Sequence, residues 1–148
     1  MRLLAFVLWT GLALAGAPGG RVEYLGGTLA GLTVKADGRM STADAARLVV
    51  QFKNKALTVP FERINQLEYG QKVDRRYLSA VLISPIFLLA KTRKHFLTVG
   101  YEDAEGRQQA MIFRVAKGDV RALLVTLEAR TGRKVTFQDE EARKAGKG

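Results

Sequence analysis

The sequence predicts a mainly β fold, a bent antiparallel sheet or barrel closed by a C-terminal amphipathic helix. Three observations predict it. Past Arg21, apolar residues recur at every second position through most of the chain. Short polar clusters part these runs at hairpin spacing. One segment, 119–131, changes to a period near 3.6. With 148 residues, 47% hydrophobic and 26% charged, the chain is long enough for one domain with its own core and too apolar for disorder.

The N-terminal stretch "MRLLAFVLWTGLALAGAPGG" has a basic Arg2, an apolar run from Leu3 to Ala15, then small residues, the layout of a secretory signal peptide. Ala13-Leu14-Ala15 and Ala15-Gly16-Ala17 both fit a cleavage site. The second would leave Pro18 beside the cut, so cleavage is expected after Ala15. The run is short against the ~20 residues of a membrane span, which argues against a retained anchor. Residues 1–15 are therefore expected to be a signal peptide, 16–20 a linker, 21–138 the domain and 139–148 a flexible tail. The domain is expected in the periplasm or on the outer face of the envelope.

"RVEYL" and "GLTVKADGRM" predict two strands separated by Gly26 and Gly27, and "STADAA" a polar loop. Leu48, Val50 and Phe52 alternate with polar or smaller neighbours, Lys53 to Lys55 read as a hairpin turn, and Leu57 and Val59 alternate on the return. Pro60, with no N–H for the ladder, ends that strand. Phe61 and Ile64, three apart, predict one helical turn with two inward side chains. Leu67 and Tyr69 resume the alternation. Leu97, Val99 and Tyr101, then Met111, Phe113 and Val115, predict a hairpin around "EDAEG". Val120, Leu123, Leu124 and Leu127 define the helix, with Asp119 as N-cap, Arg130 at the negative end of the dipole and Gly132 as the left-handed terminator. "KVTFQD" predicts a last strand, and "EEARKAGKG" a frayed end.

Two stretches carry a resemblance. "LTVPFERINQLEYGQKV" resembles the strand–turn–strand pattern of bacterial pleckstrin-homology-like and GRAM-like domains. "HFLTVGYEDAEGRQQAMIFRVAKGDVRALLVTLEARTG" is similar to the last two strands and closing helix of that fold. The chain also resembles a group of small exported bacterial proteins with "LEYGQKV" and "RKHFLTVGY" stretches. The likeness covers Leu48 to Gly132 and implies the fold rather than a task. Phosphoinositide-binding members carry a basic cluster in the first hairpin, where "GGTLAGLTVKADG" offers only Lys35, so that ligand is not carried over.

No constellation carries catalysis. The absence of Cys excludes disulfides, thiol chemistry, Cys-ligated metal and a lipoprotein anchor. His95 is the only His and reads as structural, since acid–base and metal sites need close partners. Ser41, Ser79 and Ser84 lack a nucleophile-elbow setting. Glu102, Asp103 and Glu105 read as a solvated loop rather than a cation site, and no Gly-rich phosphate loop follows a strand. The expectation is a non-enzyme without cofactor, metal or evident small-molecule substrate.

The net charge of +10 favours anionic partners. Export makes nucleic acid an unsuitable one, leaving an anionic membrane surface or an envelope protein. The stretch "RRYLSAVLISPIFLLAKTRK" sharpens this. Lys72, Arg75, Arg76, Lys91, Arg93 and Lys94 bracket it against one acid, Asp74, a net +5 that is half the chain's charge. Inside lie eight large apolar side chains: Leu78, Val81, Leu82, Ile83, Ile86, Phe87, Leu88 and Leu89. Burying each is worth about 1.5–3 kcal/mol, so keeping all eight in water would cost as much as a domain's whole stability of about 5–15 kcal/mol. As a helix, Tyr77 to Ala90 would reach only ~21 Å, short of the ~30 Å hydrocarbon core. Three destinations remain: a helical insertion bent at Pro85 and packed on the barrel, a lipid-dipping loop with its cations at the headgroups, or a protein interface. The expected contacts are Leu82, Ile83, Ile86, Phe87 and Leu88 with the six flanking cations.

Overall fold

A computed structural model describes residues 19–28, 31–72 and 94–147. The elements in order are β1 (Gly19–Gly27), β2 (Ala36–Ser41), β3 (Arg47–Phe52), β4 (Ala56–Pro60), β5 (Ile64–Gly70), β6 (Phe96–Glu102), β7 (Gln108–Val115), α1 (Val120–Thr131), β8 (Thr136–Phe137) and α2 (Glu140–Lys147). Short 3-10 turns at Phe61–Arg63 and Lys117–Asp119 lead into β5 and α1.

The strands form one sheet in the order β4-β3-β2-β1-β7-β6-β5-β8. It is mixed, because β8 runs parallel to β5 while the other neighbours are antiparallel. It is also open, and this corrects the barrel expectation. The edge strand β8 has two residues, too few to present a ladder that β4 could join.

The alternation read from the sequence sets the core face. Leu48, Val50 and Phe52 of β3, Leu67 and Tyr69 of β5, Leu97, Val99 and Tyr101 of β6, and Met111, Phe113 and Val115 of β7 share one buried cluster. Val120, Leu123, Leu124 and Leu127 of α1 and Ala142 of α2 complete it, so both helices cover the same face. Phe61 and Ile64 point inward from the 3-10 turn, as their spacing predicts.

Three local expectations are corrected. Gly26 and Gly27 do not divide two strands but end β1, where the register with β7 slips between Tyr24 and Gly26. A Cβ on Gly27 would lie 2.4 Å from the Ala110 carbonyl oxygen, so glycine permits the close approach. The second strand starts only at Ala36, later than "GLTVK" suggests. Asp119 precedes α1 but caps nothing: its φ and ψ of −100° and −12° are helical rather than extended, and its carboxylate accepts the Arg21 backbone N–H at 2.8 Å. Gly132 ends α1 as expected, at φ 68° with its N–H donating to the Glu128 carbonyl.

The tail expected to fray from 139 onward forms α2 over 140–147. Ala142 and Gly146 are buried there, and a Cβ on Gly146 would meet the Phe137 ring at 2.7 Å. Short charged sequences hide such docking, because one small-residue face suffices when the partner surface is aromatic. At the other boundary, β1 begins at Gly19 within the expected linker, where Gly19 and Gly20 pair with Ser41 and Met40.

The opposite face of the central strands is also buried. Phe96 and Ile112, on the outward phase of β6 and β7, and Leu25, at the β1 slip, are 6%, 1% and 0% exposed and stand outside the core cluster.

Candidate functional site

The long connection between β5 and β6 starts and ends at one place. Gly70 and Phe96 are paired neighbours, so residues 71–95 leave and re-enter the sheet one strand spacing apart, about 5 Å. Lys72 is exposed at the first root and Lys94 is half-buried at the second. Arg75, Arg76, Leu82, Ile83, Ile86, Phe87, Leu88, Lys91 and Arg93, and with them the expected bend at Pro85 and the expected helical insertion, lie outside the described residues. So do residues 1–15, the expected signal peptide. No helix among the described residues is long and apolar enough to cross a membrane.

Beside the second root the fold builds a cleft of about 500 Å³. Backbone hydrogen bonds assemble its walls. The Val115 N–H donates to the His95 carbonyl at 2.8 Å and the Ala116 N–H to the Arg21 carbonyl at 3.0 Å. The start of β1, the residues before β6 and the end of β7 are thereby drawn together. Arg21, Lys94, Arg114 and Lys117 bring four positive charges to the lining, and Glu23 and Asp37 two negative ones.

The charges are not equivalent. Arg114 ion-pairs with Glu23 directly across the β1–β7 pairing. Arg21 approaches Asp119 at 3.9 Å while 79% exposed, a contact worth little in water. No carboxylate pairs with Lys94 or Lys117 among the described residues.

His95 lines the same cleft, and its Nδ1 meets the Tyr69 hydroxyl at 2.5 Å. Burial lowers its pKa and the charge of Lys117 lowers it further, which favours the neutral ring. Burial pushes the Tyr69 phenol up to about 12. Tyr69 is in turn held edge-on by Phe137 at 6.0 Å. The His95 position therefore depends on the C-terminal elements.

Of the expected contact residues, the structure brings Lys94 into this cleft and leaves Lys72 away from it. Sequence reading overlooked Arg21, Arg114 and Lys117 and set His95 aside. Alternation did mark Arg114 as outward-facing between Phe113 and Val115, but nothing linear joined it to Lys94. A second cleft, of about 560 Å³, opens between α1 and α2 with Leu124 and Phe137 in its floor and Arg121, Lys134 and Lys147 at its rim.

The acidic loop between β6 and β7 is structural. The Asp103 carboxylate accepts the backbone N–H groups of Glu105 and Arg107 at 3.0 and 2.9 Å, the Arg107 Nε–H at 2.9 Å and the Gln109 amide at 2.8 Å. Desolvation opposes its ionisation, but these bonds outweigh it and bring the carboxyl down to about 2. No metal-ligating group of side chains occurs among the described residues.

Fold and cleft together define an open, mixed-sheet β domain with a cationic recess at the root of an apolar connection. No protein-family model matches the chain, and no curated protein matches it.

Proposed function

We propose that the protein is a non-catalytic binding module of the cell envelope that docks on anionic membrane surfaces through segment 75–94, and that its domain is pleckstrin-homology-like. The strand order β4-β3-β2-β1-β7-β6-β5 with α1 over the core supports the fold reading. Export by the signal peptide places its work at the periplasmic or outer face.

One observation carries the membrane reading. The apolar connection has both ends fixed at a single strand pair, and the cationic recess sits at its root. A loop so anchored can enter one leaflet while its flanking cations stay at headgroup level. Each Lys or Arg near such a surface contributes about 1 kcal/mol before screening. In a co-sedimentation assay the protein binds phosphatidylglycerol-containing vesicles, and binding weakens as salt rises. Ile83→Asp, Ile86→Asp and Phe87→Asp together abolish it with the circular dichroism spectrum unchanged. Vesicle indifference of the unaltered protein at low salt would sink the reading.

A second reading is favoured by the buried outer face. Leu25, Phe96 and Ile112 are sheltered on the side that neither described helix covers. In this reading the apolar side chains of 78–89 pack there, or against a partner or second copy at that face. The same triple substitution then unfolds the domain or dissolves an oligomer instead of releasing it from vesicles.

A further inference from the structure

The cleft beside the second root is cationic and only half neutralised. Glu23 is occupied with Arg114, and Asp37 stands exposed on β2. The four cations of the lining therefore exceed its carboxylates by two. Lys94 and Lys117, from the two sides of the β6–β7 pair, supply compact ammonium charges with no carboxylate of their own among the described residues. Arg114 is held in place by Glu23, which leaves the other N–H groups of its guanidinium fork to donate.

His95 stands beside these cations with its ring against Tyr69 of the core. The Tyr69 hydroxyl stays protonated and can donate to Nδ1. Ammonium and guanidinium donors thus line one recess, with a charge excess that a dianion would cancel. Its volume of about 500 Å³ exceeds what one phosphate fills, so an attached organic group has room.

We propose that this cleft binds a phosphate monoester through Lys94, Lys117 and Arg114. The site deepens the membrane reading, on which it rests only for the source of the ligand: the phosphate belongs either to a lipid headgroup or to a free phosphate compound. The β1–β2 connection takes no part in it. Its walls are the start of β1 and the end of β7, which converge only through the sheet register. A linear phosphate-loop motif is absent because the donors are side chains from two separate stretches, Lys94 before β6 and Arg114 with Lys117 at and after the end of β7.

His95, the sole His, is a built-in reporter, since it gives one set of imidazole resonances. The titratable groups around it are Lys94 on its own segment, Arg21 and Glu23 on β1, Asp37 on β2, Tyr69 on β5, Arg114 on β7, and Lys117 and Asp119 on the turn before α1, and of these Lys117 lowers its pKa. A dianion bound among them opposes the effect of Lys117 and raises the imidazole pKa.

The test is a proton NMR titration of the full chain with inorganic phosphate at constant ionic strength, with sulfate as control. A saturable shift of the His95 resonances and a rise of about one unit in their pKa are expected. Lys94→Gln with Lys117→Gln should weaken that binding about tenfold or more, while the folded spectrum persists. A parallel arm uses phosphatidylcholine vesicles doped with phosphatidic acid, a monoester, or with phosphatidylglycerol, a diester.

A response to phosphate, to phosphatidic acid or to both supports the site and names its source. The proposal is overturned if neither moves His95, if sulfate or phosphatidylglycerol does so equally, or if the double variant binds as tightly as the parent. The two readings fail separately. The Ile83, Ile86 and Phe87 variant should lose vesicle co-sedimentation and keep the phosphate shift. Loss of vesicle binding by the unaltered protein leaves the cleft standing.

Discussion

The two ends of β6 are joined to their neighbours in opposite ways. Toward β7 the chain turns within residues 103–107, where the Asp103 carboxylate accepts the Glu105 and Arg107 N–H groups and its backbone carbonyl the Gly106 N–H. Gly106, at φ 75°, supplies the left-handed position. Toward β5 the partners Gly70 and Phe96 are as close as in any hairpin, yet 25 residues separate them. A hairpin needs only a few residues to turn. The first connection shows what closing the sheet requires. The length, apolar content and cationic brackets of the second exceed that requirement, so their explanation lies in contacts beyond the hairpin.

The largest effect that tests this contrast comes from the strand between the two connections. Leu97→Ala removes a fully buried side chain from the shared core and should cost about 2–5 kcal/mol in urea unfolding. A loss well under that range would mean that β6 is not the rigid member on which both connections hang.

Next comes replacement of residues 73–93 by a short Asn-Gly-containing turn. The Gly70–Phe96 pairing should survive, with near-parental thermal stability and no vesicle binding. A collapse of stability would move the weight to the reading in which the segment shelters the outer face.

Smaller still is Tyr69→Phe, which deletes the hydroxyl facing His95. A lost hydrogen bond of this kind costs about 1 kcal/mol, and the His95 resonances should move without added ligand. Unmoved resonances would mean that the Tyr69 contact does not set the ring's state.

The last is a pH effect at the short turn. The Asp103 carboxyl titrates at about 2 when folded, below its ordinary value near 3.9, so the unfolded chain binds more protons between these values. Its stabilising contribution is complete above pH 4 and fades as pH falls toward 2. Asp103→Asn should flatten that part of the stability profile.

Much of the fold is legible in residue order. The inward set of β3, β5, β6 and β7 follows from alternation, because successive side chains on a strand take opposite faces whatever the partner strand is. The Lys53–Lys55 turn, the Phe61 turn and the Gly132 terminus were readable for the same local reasons. The α2 helix was not. Its hold on the domain is Ala142 in the core cluster and Gly146 fitted against Phe137, Leu124 and Tyr69, a match that charged, small-residue composition conceals. The β1 boundary was missed because Gly26 and Gly27 look like breakers until the Ala110 carbonyl is brought against Gly27.

The cleft was less legible than the fold. Lys94 was singled out for its place beside the apolar run, whereas Arg21, Arg114 and Lys117 are spread over nearly a hundred residues and carry no spacing of their own. His95 looked isolated because its partner Tyr69 belongs to another strand.

Residue order alone determined which segments are strands, where the closing helix ends, and that one charged-flanked run is too apolar to stay in water. These follow from backbone periodicity and side-chain hydration, which act over a few neighbours. Only the tertiary structure decided that β1 lies between β2 and β7, that the sheet stays open, and that four distant cations share one recess. Strand partners are chosen by the summed packing of a whole face, and no short stretch of sequence contains that sum.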